Sequence, residues 1–180
     1  MTVERIIEGC RQGEADARKE LYERYAPQMY GVIRRYVRDA SSAEDLLHDG
    51  FITLYTKIGD WRGDGPFEAW CRRIFVNTAL SWLRKNAVLG ETEEISEVAP
   101  RRLGGNEADI IGQLSADDLK RAVDSLPDGY KTVLNLYAVE GYSHAEIAEM
   151  LGISGATSRS QYLRAKSRLA AMIEDYYVTR

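Results

Sequence analysis

Residues 142–169 read YSHAEIAEMLGISGATSRSQYLRAKSRL, and this stretch decides the fold. Ser143 followed three residues later by Glu146 is a capping box, which starts a short helix. Ile147, Ala148 and Leu151 give that helix one apolar face. Gly152 then ends it in a left-handed conformation that glycine adopts without steric cost. Ile153 is placed to plug the corner, and Ser154 to cap a second helix. That helix carries Arg159, Arg164, Lys166 and Arg168, with no carboxylate between Ser154 and Leu169. A basic helix behind a tight turn is the pattern of a helix-turn-helix whose second helix enters the major groove of DNA. Thr157, Arg159, Ser160, Gln161 and Arg164 crowd its first turns with groups that donate to base edges or phosphates, while Lys166 and Arg168 are expected on phosphates. A buried hairpin with a merely solvated basic face is the plainer alternative, and the Gly-Ile-Ser corner speaks against it.

The overall charge of the 180-residue chain, −4, looks wrong for a DNA binder until it is mapped. Glu91, Glu93, Glu94, Glu97, Glu107 and Asp109 face only Arg101 and Arg102 between Asn86 and Ala116, so that segment carries the whole net charge. A hydrophobic content of 44% excludes a disordered chain. Cys10 and Cys71 stand apart, without Cys/His ligand spacing, so neither a zinc site nor any other metal or cofactor is expected. Cys71 falls on the apolar side of its helix and is expected to be buried and unreactive. Glu4, Arg5 and Glu8 interrupt any leader-like run, and no stretch approaches ~20 apolar residues. A soluble, cytoplasmic protein without membrane insertion is the expectation.

Periodicity is helical nearly throughout, which predicts an all-α protein. Helices are expected over Val3–Gln12 and Ala15–Asp39. A third follows a Ser41/Glu44 capping box and ends near Lys57, and a fourth runs from Pro66 to Lys85. Residues 60–66, DWRGDGP, are turn-rich. Residues 89–116 contain Pro100, Gly104 and Gly105 and read as a flexible acidic linker between small helical domains at 1–88 and 117–180. Beyond it come helices near Asp117–Ser125 and Tyr130–Val139 and then the helix-turn-helix.

A second nucleic-acid signal lies in the fourth helix. Arg73, Asn77, Ser81 and Arg84 follow one another at helical spacing, Lys85 adds a cation, and Phe67, Trp70, Cys71, Ile74 and Thr78 are the expected core side. Trp61 and Arg62 sit in the glycine-bearing loop before it. An exposed aromatic beside cations is what unstacked bases require. Trp61 suits two roles equally, a stacking platform or a satellite of the core.

Taken together, two nucleic-acid modules on an acidic tether resemble a bacterial RNA polymerase sigma factor of the extracytoplasmic-function (ECF) type. Residues 42–58, SAEDLLHDGFITLYTKI, are similar to that family's helix for docking on the polymerase clamp. Residues 60–85, including WRGD and WCRRIFVNTA, resemble its −10 and melting segment, and Leu126-Pro127-Asp128 with the helix-turn-helix its −35 domain. The resemblance implies a non-enzymatic promoter-reading subunit, monomeric when free. Its partners would be promoter DNA, the polymerase core (clamp of the largest subunit and flap) and an anti-sigma factor. It further implies that Glu44, Asp45, His48 and Asp49 face the core, and that Trp61 and Asn77 host a base extruded on melting. The acidic linker would occupy the path of nascent RNA. The chain departs from the family in having Gly155-Ala156 where Glu-Gly is common and His48-Asp49 where Gln-Glu is common. The first change removes an acid from a helix N-terminus and softens its first turn.

Competing readings have less behind them. An ordinary helix-turn-helix regulator needs a dimer surface or ligand pocket in residues 1–90, and neither is legible. A metal-dependent phosphodiesterase built on Glu44, Asp45 and Asp49 lacks a fourth ligand or paired His. A protein-only adaptor leaves both basic helices unexplained. His48 and His144 have no nucleophile partners and are expected on the surface.

Overall fold

The computed structural model describes residues 1–86 and 116–178, and every regular element among them is helical. The chain divides into two compact units, Met1–Lys85 and Asn86–Arg180. The expected linker lies outside the described residues except for Ala116, where a helix begins.

In the first unit, α1 spans Val3–Arg11, α2 Ala15–Arg34, α3 Ala40–Lys57 and α4 Phe67–Lys85, with a 3-10 turn at Ile58–Asp60. Ile6, Ile7 and Cys10 of α1 are buried, as are Leu21, Met29 and Ile33 of α2 and Leu46, Phe51 and Leu54 of α3. Gly50 matters because a side chain there would run into the Phe75 ring of α4; its absence lets α3 and α4 close to a Phe51–Phe75 edge contact of 5.1 Å. Tyr55 ties α3 to α2 by donating to the Arg18 carbonyl at 2.8 Å, and its burial pushes the phenol up to about 12.

Two expectations about this unit are corrected. The helix predicted to run to Asp39 stops at Arg34. Tyr36 and Val37 keep the apolar period because they are buried in the connection, which Arg34 holds by donating to the Val37 and Arg38 carbonyls. The third helix is started by Asp39 and not by Ser41: the Asp39 carboxylate accepts from the Ser42 N–H at 2.7 Å. A charged acceptor at the positive end of a helix outdoes a hydroxyl, and these hydrogen bonds hold the Asp39 carboxyl below the usual carboxylate range.

In the second unit, α5 spans Ala116–Asp124, α6 Asp128–Leu134, α7 His144–Leu151 and α8 Gly155–Val178; α6 widens into a π turn at Asn135–Val139. Leu126, Tyr130, Leu134 and Ala165 form its core cluster, with Val123, Tyr162 and Leu169 packed around it. Lys131 is buried and donates to Asp124 at 2.8 Å, joining α6 to the end of α5. The helix-turn-helix forms as its local signals require. The Ser143–Glu146 capping box is complete, Gly152 has φ +69°, and Ser154 Oγ accepts from the Thr157 N–H at 3.0 Å.

Candidate nucleic-acid interface

Two contacts position the loop before α4. Arg11 of α1 donates to the Trp61 carbonyl at 2.6 Å and to the Ile58 carbonyl at 3.4 Å. Gly63 and Gly65 then turn the chain at φ +85° and +135°, which L side chains rarely adopt. The Trp61 ring stands edge-on to Phe67 at 5.5 Å, and Phe67 in turn meets Trp70 at 5.6 Å. Trp61 is therefore half-buried, with part of its ring spent on the protein and part open.

On α4, Arg73, Asn77, Arg84 and Lys85 are exposed, Ser81 is half-buried, and Arg84 donates to Ser81 Oγ at 3.1 Å. Arg62 is exposed in the loop. The buried side of α4 differs from the expected one: it is Phe67, Cys71, Phe75, Val76, Ala79, Leu80 and Leu83. Trp70, Ile74 and Thr78 lie at its rim, half-buried. The cause is that α4 packs against both α2 and α3, which widens and rotates its inner face. Burial pushes the Cys71 thiol up to about 12, so it is not a thiolate at physiological pH. Cys10 is buried as well, and desolvation raises its thiol too.

Trp61 packs on Phe67 at the start of α4, and the groove that Asn77 lines does not include it. Asn77 lies ten residues beyond Phe67, about 15 Å along the helix at the α-helical rise. It lines a groove of about 380 Å³ between α3 and α4 together with Thr53, Lys57, Ser81, Trp82 and Lys85. The aromatic in that groove is Trp82.

The outer face of α3 presents Glu44, Asp45, His48 and Asp49, all exposed. His48 bonds the Glu44 carbonyl through Nδ1 at 2.8 Å and stacks near Tyr22 at 6.4 Å. Sequence reasoning missed Ile52 on this face. It is 64% exposed, one helical turn beyond His48, and an isoleucine among acids at helical spacing was the available signal. Among the described residues no group of three or more His, Cys, Asp or Glu side chains is placed to hold a metal ion.

On α8, Arg159, Ser160, Arg164 and Lys166 are exposed, and Ser158 and Ala165 are buried. Thr157 and Gln161 are half-buried, and the Thr157 hydroxyl pairs with Ser154 at 2.8 Å. Ser160 Oγ donates to the Thr157 carbonyl at 3.2 Å, which orients it within the first turn. Arg168 points another way: half-buried, its guanidinium lies over the Tyr130 ring at 5.5 Å, a cation–π contact within the unit. Leu163, also missed by sequence reasoning, is 56% exposed. It sits at the centre of the basic face, where an apolar side chain suits a thymine methyl group.

Comparison with known proteins agrees with this arrangement. Residues 21–88 match the model for sigma-70 region 2, and residues 116–169 the model for sigma-70 region 4. The chain is 30% identical to the ECF RNA polymerase sigma factor SigM of Mycobacterium tuberculosis over 162 residues, covering 89% of this chain and 79% of that one. It is 28% identical to the ECF RNA polymerase sigma-E factor of Haemophilus influenzae over 183 residues, covering 97% and 96%. Among solved structures, the sigma factor RpoE of Bartonella quintana, in complex with the anti-sigma factor NepR, shares the fold. Its TM-score is 0.53 and its identity 22%, covering 87% of this chain and 96% of that one.

The two helical units are thus the region 2 and region 4 folds of the sigma-70 class. The chain belongs to the ECF sigma factors of that family. As a sigma factor it directs RNA polymerase to promoters for transcription initiation, a role that is not itself enzymatic.

Proposed function

We propose the following division of labour, with domains at 1–88 and 117–180 joined by a linker at 89–116. The first domain docks on the clamp of the polymerase's largest subunit through Glu44, Asp45, His48 and Asp49, with Ile52 as an apolar anchor among them. It grips the −10 element through Arg62, Arg73, Asn77, Arg84 and Lys85. Trp61 offers the open part of its ring to an unstacked base. Opening the duplex costs a few kcal/mol per extruded base, and stacking on an aromatic returns ~1–3 kcal/mol. The second domain, which would also meet the polymerase flap, reads the −35 element through Thr157, Arg159, Ser160, Gln161 and Arg164. Lys166 contacts phosphate, and Arg168 braces the helix on Tyr130. The chain supplies no catalysis of its own, since the polymerase performs the chemistry.

The observation that carries this reading is the split of α8 into a buried face, Ser158 and Ala165, and an exposed face, Arg159, Ser160, Leu163, Arg164 and Lys166. We further propose control by a separate anti-sigma factor that covers the polymerase-binding faces; the structural relative with the same fold was captured with such a partner. No helix among the described residues is long and apolar enough to cross a membrane, and we place the working protein in the cytoplasm as a monomer until it meets the core.

Gel shift on promoter DNA with and without polymerase core tests the reading. Tight binding that requires the core is expected. Tight binding by the chain alone would make it an ordinary regulator, and metal-dependent cutting a nuclease. Within the complex, Arg164→Ala should cost ~1–3 kcal/mol and relax preference at one base pair. Lys166→Ala should weaken all sequences alike and flatten the salt dependence.

A further inference from the structure

His144, the first residue of α7, is half-buried, contrary to the surface position expected from sequence. Its ring stacks on Tyr137 of the π turn at 4.4 Å and 12°, and meets Tyr162 of α8 edge-on at 5.8 Å. Tyr137 and Tyr162 touch each other at 4.6 Å, closing a triangle of rings across three elements. His144 Nδ1 is joined by a 2.9 Å hydrogen bond to Ser158 Oγ, and Ser158 is fully buried in the first turn of α8, immediately before Arg159.

The fully buried residues of α8 at this end are small, Ser158 and Ala165, and the larger Tyr162 between them is only half-buried. Small residues interlock weakly, so they leave the rotation of a helix about its axis loosely defined. A directional bond to Ser158 defines it, and the ring triangle sets its tilt. Base readout needs this, because hydrogen bonds weaken steeply with a few tenths of an ångström or a poor angle. Groups that read a ligand are held in register by the side chains behind them.

We propose that His144 is a positioning residue for −35 recognition. Through Ser158 and the Tyr137–Tyr162 ring pair it holds α8 in the rotation at which Arg159 and Arg164 meet base edges, while touching no base itself. This rests on the reading of α8 as the DNA-contacting helix.

The test uses holoenzyme assembled from the full chain and polymerase core. Its probe is the duplex that the unaltered holoenzyme selects from a randomised pool. The quantity measured is discrimination: affinity for that duplex divided by affinity for its single-base variants in the −35 element. His144→Ala should lower discrimination about fivefold, the scale of one lost hydrogen bond. Ser158→Ala should lower it equally, and the double variant no further, because both remove one interaction. His144→Phe, which keeps the ring packing and hence the fold, should show the same loss, and His144→Gln, which restores a hydrogen-bonding group, should recover most of it. Discrimination unchanged in His144→Ala or His144→Phe, even with a lowered melting temperature, would assign His144 to stability alone and overturn the proposal. Additive losses in the double variant would also overturn it. Arg159→Ala with Arg164→Ala is the reference: if that pair keeps full discrimination, the reading of α8 itself fails and takes this inference with it. If the pair loses discrimination and the His144 variants do not, only the positioning role falls.

Discussion

Helices α4 and α8 are both basic and both assigned to DNA, yet they are held in different ways. α4 is wedged between α2 and α3 and buries Phe67, Cys71, Phe75, Val76, Ala79, Leu80 and Leu83. α8, although longer, has only Ser158, Ala165 and Ile173 in the buried class among its described side chains, and relies on half-buried rings and on polar contacts such as His144–Ser158. A helix locked by large apolar side chains cannot be reoriented without unfolding its unit, which suits a surface that must resist the work of opening DNA. A helix seated by small residues and directional bonds can have its recognition altered at little cost to stability.

The largest expected effect probes that contrast directly. Phe75→Ala on α4 should destabilise the first unit by ~3–5 kcal/mol, the cost of emptying a buried aromatic site. Leu163→Ala on α8 should leave stability within ~0.5 kcal/mol, while relaxing base preference at one position of the −35 element. Denaturant unfolding followed by DNA binding of the holoenzyme checks both. Equal stability losses would erase the distinction between the two helices.

The next concerns α3, which pairs with α4 on its inner side. Reversing Asp45 and Asp49 to Lys, or replacing Ile52 by Asp, should remove ~2 kcal/mol or more of core affinity, the range of interface hot spots. Helicity should stay unchanged, since all three side chains are exposed. A pull-down with undiminished core would show that the acidic face serves solubility only.

A smaller effect follows from the separation of Trp61 and Asn77. Each replacement by Ala should reduce open complexes, seen by permanganate reactivity, with Trp61→Ala worth ~1–3 kcal/mol. Trp61 packs on Phe67 at the start of α4 and Asn77 lies about 15 Å further along that helix than Phe67, so the two should act additively. A promoter already mismatched across the −10 element should rescue Trp61→Ala, because the opening cost is removed in advance. Strong non-additivity would put the two residues in one pocket after all.

The effect that is smallest at neutral pH, and grows only on the alkaline side, comes from Cys71. Its folded pKa is raised by burial to about 12, whereas the unfolded thiol titrates near ~8.5. The folded state therefore holds its proton longer than the unfolded state does. The associated stability is fully present below the unfolded value and is lost as the pH rises through the folded one. Denaturation midpoints should fall on the alkaline side, and less so in Cys71→Ala. Alkylation of the native protein at neutral pH should leave both buried cysteines unmodified.

The helix-turn-helix was legible in full from its own residues. Its signals, the Ser143–Glu146 box, Gly152 and Ser154, satisfy backbone groups within a few residues of one another, so no distant partner enters the decision. The exposed acids of α3 and cations of α8 were legible for the same reason: charge at helical spacing declares an outer face before any neighbour is known. Tertiary structure decided the rest. Which side of α4 is buried depended on its having two packing partners, and Arg168 turned back onto Tyr130, 38 positions earlier in the chain. His144 is the clearest case. Its sequence neighbours mark it as a surface residue, and its role comes from Tyr137, Ser158 and Tyr162, which become its neighbours only when α6, α7 and α8 pack. Propensity and capping act along the chain, whereas a side chain's burial and partners are set by contacts between elements, and those energies exist only once the elements have met.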